Sequence, residues 1–142
     1  MTETLVGQCM CGAVNWSSSG RITRRLSCHC GDCQKATSSP FTAFVGLPPE
    51  SVEWTGEINH YESSPGTHRG FCPKCGTRLY FRSDKWPGEI HIHAATLTDA
   101  SSYTPDAHVV MASAVPWLHL ADDIPKHQSF QAEPADQEQN PC

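Results

Sequence analysis

The sequence predicts a mainly β domain of short antiparallel strands, pinned by metal where the apolar core is thin, with at most one or two short helices. Three observations predict it. Pro and Gly together supply 21 of the 142 residues, a density of turn-formers that excludes long helices, coiled coils and helical bundles. Apolar residues make up 38% of the chain, below the usual ~45–50%, a range that also counts Gly. Seven cysteines stand in three tight groups, too close within each group to bridge one another but well spaced to share a metal ion.

Taken in order, alternation and β-branched or aromatic content place strands over 4–8, 13–18, 22–29, 41–47, 51–55, 58–63, 67–72, 78–83, 89–95 and 107–113. One short helix fits GDCQKATS, residues 31–38, directly after the second cysteine group. In EIHIHA, Ile90 and Ile92 face one way and His91 and His93 the other, the pattern of a half-buried strand. Trp16, Trp54, Trp86 and Trp117 read as core or half-buried packing. Asp99 and the pair Asp122-Asp123 read as turn or cap residues. The length suits one domain, residues 1–130. Residues 131–142, QAEPADQEQNPC, hold two prolines, three acids, three glutamines and no large apolar side chain, and read as a polar, acidic, flexible tail. Cys142 at its end is expected to be exposed and unliganded.

Charge and hydropathy exclude several functions. The net charge is −5, with 15 acids against 10 bases; without the tail the balance is close to neutral, a poor footprint for nucleic acid. Apolar runs such as HVVMA at 108–112 fall far short of the roughly 18–20 residues that cross a bilayer. The opening MTETLVGQCMCG lacks a basic stretch followed by an apolar block, so no secretory signal is expected and the expected location is the cytoplasm, where thiols stay reduced.

The cysteines carry the chemistry. CPKCG at 72–76 is a zinc-knuckle sequence: the turn aims two sulfurs at one point, and the Gly takes a positive φ after the second ligand. CMCG at 9–12 is a tighter version with the same ending. Together Cys9, Cys11, Cys72 and Cys75 make a four-thiolate, closed, structural site that ties two turns across 60 intervening residues. Cys28, Cys30 and Cys33 of CHCGDC remain. In an extended LSCHC, Cys28 and Cys30 share a face while His29 points away, and Cys33 returns after a Gly-Asp turn. Three protein ligands and one open position are the pattern of a catalytic zinc, whose free position takes water or a thiol. Two other arrangements fit the same counting. The second site closes on His91, His93 or His108, or Cys9 and Cys11 serve Cys28 and Cys30 instead. Sulfur ligands favour zinc, with iron the other candidate. Nine of the ten bases flank the second and third cysteine groups: Arg21, Arg24, Arg25, Lys35, Arg69, Lys74, Arg78, Arg82 and Lys85. They suit either a pocket for an anionic thiol or the balancing of thiolate charge.

With the cysteine set complete, the chain resembles the glutathione-dependent formaldehyde-activating family, which includes the centromere protein V domain. The matching segments are GQCMCGAV (7–14), SCHCGDCQKATSSPF (27–41), GFCPKCGTRLYF (70–81), IHAATLTD (92–99), Pro116-Trp117 and DDIPKH (122–127). The chain departs from the family pattern after Cys33, where Gln34-Lys35 replaces a fully basic pair. The resemblance implies a β-tent-like fold with two zinc ions. One is structural, on Cys9, Cys11, Cys72 and Cys75; the other is catalytic in type, on Cys28, Cys30 and Cys33. It also implies a carbon–sulfur lyase that joins formaldehyde to glutathione as S-hydroxymethylglutathione. The expected partners are therefore a small thiol and a small aldehyde, with neither nucleic acid nor membrane. Two further readings stand beside it: a zinc-stabilised binding module without turnover, and a redox sensor using Cys28, Cys30 and Cys33 as reactive thiols.

Overall fold

The structure, a computed structural model, describes residues 4–130. The tail over 131–142, and Cys142 with it, lies outside the described residues. Ten strands form, each close to its predicted place: β1 (Leu5–Gln8), β2 (Asn15–Ser18), β3 (Arg24–Cys28), β4 (Thr42–Leu47), β5 (Val52–Thr55), β6 (Asn59–Ser64), β7 (Thr67–Phe71), β8 (Arg78–Ser83), β9 (Ile90–His93) and β10 (Ala107–Val109). The α-helix α1 spans Gly31–Thr37, and the other helical pieces among the described residues are single 3₁₀ turns. The fold is mainly β, as Pro and Gly density requires.

The described residues divide into two compact units. The first comprises the chain up to Arg24 together with Phe44–Thr104. In it, β1, β2 and β5 form an antiparallel sheet in which Trp16 stands opposite Trp54. Trp16 is buried and its indole N–H donates to Thr96 Oγ1 at 3.0 Å, which satisfies the polar end of a large apolar side chain. The second sheet of this unit runs β4-β9-β8-β7-β6, all antiparallel. Val45, Leu47, Leu79, Phe81, Ile90 and Ile92 make its core. The outer strand β6 is exposed at every position, and its polar NHYESS sequence suits an edge.

The second unit comprises Arg25–Ala43 and the described residues from Pro105 onward. Its strands β3 and β10 pair in parallel, Ala107 with Leu26, His108 with Ser27 and Val109 with Cys28. This departs from the all-antiparallel expectation; a parallel pair needs a long crossover, and here 78 residues separate the two strands. The chain after β10 turns back through the 3₁₀ turn Met111–Ser113. The returning segment bonds along β10 through His108 N–H to Pro125 O (2.8 Å), His127 N–H to His108 O (2.9 Å) and Met111 N–H to His127 O (2.9 Å). Its buried apolar side chains are Ala107, Val109, Phe130 and three cysteines, Cys28, Cys30 and Cys33. No fully buried Leu or Ile supports this unit among the described residues, so its core is thin where the second cysteine group sits.

Candidate metal centres

The first centre grows from two turns that repeat one design. At the end of β1, the Cys9 N–H donates to Val14 O (3.0 Å) and the Gly12 N–H to Cys9 O (3.1 Å). At the end of β7, the Cys72 N–H donates to Thr77 O (3.0 Å) and the Gly76 N–H to Cys72 O (2.8 Å). Each turn closes on a glycine with φ near +80°, Gly12 at +79° and Gly76 at +77°, a conformation that a Cβ disfavours. The Met10 N–H donates to Thr77 Oγ1 at 3.0 Å and ties one turn to the other.

The sulfurs of Cys9, Cys11, Cys72 and Cys75 lie within 4.8 Å of one another. Cys9 and Cys11 are 3.6 Å apart, and Cys11 and Cys72 are 3.8 Å apart. Four sulfurs arranged tetrahedrally about 2.3 Å from a central ion have edges of about 3.8 Å, so this donor set fits a metal. The Thr77 hydroxyl, aided by the Thr77 backbone, holds the Cys75 thiol down to about 5. Burial opposes ionisation of Cys9, but the Val14 N–H at 3.2 Å from its sulfur and the neighbouring thiols lower it on balance. At Cys11 the Ala13 backbone favours the thiolate, yet burial and three adjacent sulfurs override it and push the thiol up to about 11. Within one cluster some thiols are lowered and another is raised, as expected of ionisable groups crowded together.

The second centre sits at the junction of β3 and α1. Cys28 ends the strand, Cys30 caps the helix with extended backbone (φ −66°, ψ 156°), and Cys33 lies in the first helical turn. The Cys33 N–H donates to Cys30 Sγ at 3.3 Å. The expected Gly-Asp turn is therefore the start of α1; the helical repeat brings Cys33 back toward Cys30. The Cys33 carbonyl accepts from Thr37 Oγ1 (2.9 Å) and Thr42 Oγ1 (3.0 Å), which fixes that turn. All three cysteines are buried, and their sulfurs lie within 4.8 Å of one another. Among the described residues no histidine or carboxylate groups with them within that distance. Nor do Cys9 and Cys11 group with Cys28 and Cys30. Both clusters could hold a metal ion.

Several residues fall differently from their sequence patterns. His91 and His93 are buried, at 2% and 7% exposure, so β9 is covered on both faces. His91 stacks between Phe44 (4.8 Å between centroids) and Phe81 (5.6 Å) and bonds Glu89 Oε2 at 2.8 Å. Glu89 also takes Arg24 Nε at 2.9 Å. Burial would raise this carboxyl, but the bonds from His91 and Arg24 hold it down to about 2. Three of the nine flanking bases are thus drawn into packing. Arg24 lies over Trp86, Arg69 over Phe81 and Arg78 over Phe71. Trp16 is core, Trp54 and Trp86 are half-buried, but Trp117 is exposed. Asp99 caps the 3₁₀ turn Ala100–Ser102 by accepting from the Ser101 N–H, as a turn residue should.

The residues missed by spacing are His29, His108 and Asp122. His29 Nε2 lies 2.9 Å from His108 Nδ1, and His108 Nε2 lies 3.0 Å from Asp122 Oδ2. Burial, then the neighbouring His108, push the His29 imidazole down to about 4. These three residues are separated by 79 and 14 positions, so no local motif reveals them; only the presence of Asp122 in DDIPKH hinted at more than a turn.

Comparison with known proteins adds to this geometry. The profile of the family described as "Glutathione-dependent formaldehyde-activating enzyme" matches residues 4–113. An uncharacterized lyase of Schizosaccharomyces pombe is 33% identical over 103 residues, covering 72% of this chain and 75% of that protein. A crystal structure of a Rhodobacter sphaeroides protein shares the fold with a TM-score of 0.55 and 19% identity, over 66% of this chain and 88% of that one. No helix among the described residues is long and apolar enough to cross a membrane.

Proposed function

From the premise that this chain belongs to the glutathione-dependent formaldehyde-activating enzyme family, we propose that it is a zinc-dependent carbon–sulfur lyase whose reaction takes place at Cys28, Cys30 and Cys33. The carrying observation is the contrast between the two clusters. One gathers four sulfurs; the other gathers three. Cys9, Cys11, Cys72 and Cys75 hold a structural zinc, and residues 1–130 form one zinc-binding domain. A zinc ion on the three thiolates supplies a Lewis-acid position that favours thiolate over thiol at neutral pH.

The substrates are a small thiol such as glutathione and a small aldehyde such as formaldehyde. The thiol sulfur bonds to the carbonyl carbon, the C=O π pair moves to oxygen, and that oxygen takes the proton the thiol gave up. The product is an S-hydroxyalkyl thiol, and the reverse reaction releases the aldehyde. The chain's own contribution is to hold its three sulfurs rigidly on a helix start and a strand end, so that the reacting thiol is presented in one orientation. The buried setting keeps bulk water from competing for the site. Seven clustered cysteines suited to metal rather than to bridges support a cytoplasmic location, where thiols stay reduced.

The test is aldehyde exchange followed by NMR, using ¹³C-formaldehyde with a panel of thiols and substoichiometric protein. At least one thiol should show accelerated adduct formation that Cys30→Ser abolishes. Protein carrying two zinc ions per chain that accelerates none of them would refute the proposal.

A further inference from the structure

We infer that Asp122 and His108 are positioning residues that hold the His29 ring as its Nε2–H tautomer and so brace the segment carrying Cys28 and Cys30. What the brace serves rests on the reaction proposed above; its existence does not.

Donors and acceptors fix both tautomers. A carboxylate can only accept. Asp122 Oδ2 lies 3.0 Å from His108 Nε2, so that nitrogen carries the hydrogen. In a neutral imidazole the other nitrogen is then a bare acceptor. His108 Nδ1 lies 2.9 Å from His29 Nε2, so His29 donates through Nε2. This leaves His29 Nδ1 without a hydrogen, and it is buried with no hydrogen-bond partner. Asp122 is ionised under these conditions: the Lys126 ammonium, then His108, hold its carboxyl down to about 2.

The chain of three is anchored at both ends. Asp122 Oδ1 also accepts from the Ile124 N–H at 3.1 Å and from Lys126 Nζ at 2.9 Å. At the other end the His29 N–H donates to Val109 O at 3.0 Å, and the His29 carbonyl accepts from Gln34 Nε2 at 2.7 Å. Gln34 Nε2 also reaches Ser113 O at 2.9 Å. The Gln34 amide thus joins α1 to the turn after β10. The Phe41 ring packs on both imidazoles, 4.9 Å from His29 and 5.8 Å from His108. His29 and His108 are both buried. The residue between two candidate ligands is therefore fixed through its ring as well as its backbone. Partners of this outer kind orient metal ligands, and losing one typically costs about 10–100-fold in metal affinity or activity.

The experiment uses ¹⁵N-histidine-labelled, zinc-loaded protein at about pH 7.5, where long-range ¹H–¹⁵N spectra distinguish the two tautomers and the imidazolium. His29 and His108 should both be Nε2–H. Asp122→Ala removes the terminal acceptor and should mix the tautomers of both rings. Asp122→Asn keeps a carbonyl oxygen and should restore the wild-type pattern. Metal release to a chromogenic chelator gives the second readout. In Asp122→Ala one of the two ions should leave about 10–100-fold faster while the other is unchanged. An Nδ1–H His29 or an imidazolium His108 in the wild type overturns the inference, as does an Asp122→Ala variant with unchanged tautomers or unchanged release. Wild-type protein binding only one ion would defeat the reaction proposed above, and the imidazole spectrum would still decide the brace.

Discussion

Gly7→Ala probes how β1 delivers the first cysteine turn. A Cβ built at Gly7 would meet Trp16 Nε1 at 2.2 Å, Trp16 Cε2 at 2.4 Å and Thr96 O at 2.6 Å. None of these can give way easily. The indole is 2% exposed and its N–H is bonded to Thr96 Oγ1, and Thr96 O is backbone. Displacing the ring costs the overpacking typical of a filled core, about 1–3 kcal/mol. Breaking the Trp16–Thr96 bond in a buried place adds about 1–3 kcal/mol. The sum, about 2–6 kcal/mol, is a large share of the roughly 5–15 kcal/mol that a domain has. At about 3–5 °C per kcal/mol for a domain of this size, Tm should fall by at least ~6 °C. Differential scanning calorimetry on zinc-loaded protein measures it, with Trp fluorescence reporting the ring's displacement. A Gly7→Ala variant melting within about 2 °C of wild type, a loss of less than about 1 kcal/mol, would show that the close approach of β1 to Trp16 is not as described.

Two more outcomes follow from the same structure. Cys75→Ser removes one corner of the four-sulfur cluster, where structural zinc contributes on the order of 10 kcal/mol; little folded protein should be recovered, and a soluble variant with an unchanged melting curve would remove the structural role. Burial, then the nearby Arg69 and Arg78, push the His93 imidazole down to about 3, so between that value and the unfolded value of about 6.5 the unfolded state binds the extra proton and stability falls as pH falls. For this group alone that is about 2 kcal/mol between pH 6.5 and pH 5. Urea titrations of wild type and His93→Gln should therefore converge as the pH is lowered over that window, and a pH-independent difference would show that His93 is not held neutral by burial.

How much of this was legible in the sequence depends on how local each signal is. Strand alternation and turn residues act over a few positions, so the ten strands and α1 were readable to within a few residues each. The sulfur grouping was readable because Cys-x-Cys-Gly and Cys-Pro-x-Cys-Gly encode their own turns, and Gly12 and Gly76 take the positive φ those turns need. Burial of β9 was not readable. His91 is covered by Phe44, Phe81 and Trp86, from three other segments, and alternation of Ile and His says nothing about what faces the histidines. Trp117 failed for the opposite reason: a large apolar residue is expected inside, but Pro116-Trp117 lies on the surface between buried segments. The Asp122–His108–His29 chain joins a loop, a strand and a ligand segment, and it exists only once β10 pairs in parallel with β3.

Cobalt-substituted protein tests most directly whether a metal ion held by Cys28, Cys30 and Cys33 accepts a thiol. Sulfur-to-cobalt charge-transfer bands report each thiolate that joins the ion, and a thiolate is a better ligand than water there. About millimolar glutathione, or another small thiol from the same panel, should intensify and shift those bands in the wild type. It should leave Cys30→Ser, which keeps only the four-sulfur ion, unchanged. A wild-type spectrum indifferent to every thiol tested would contradict the account and leave a doubly metal-pinned scaffold.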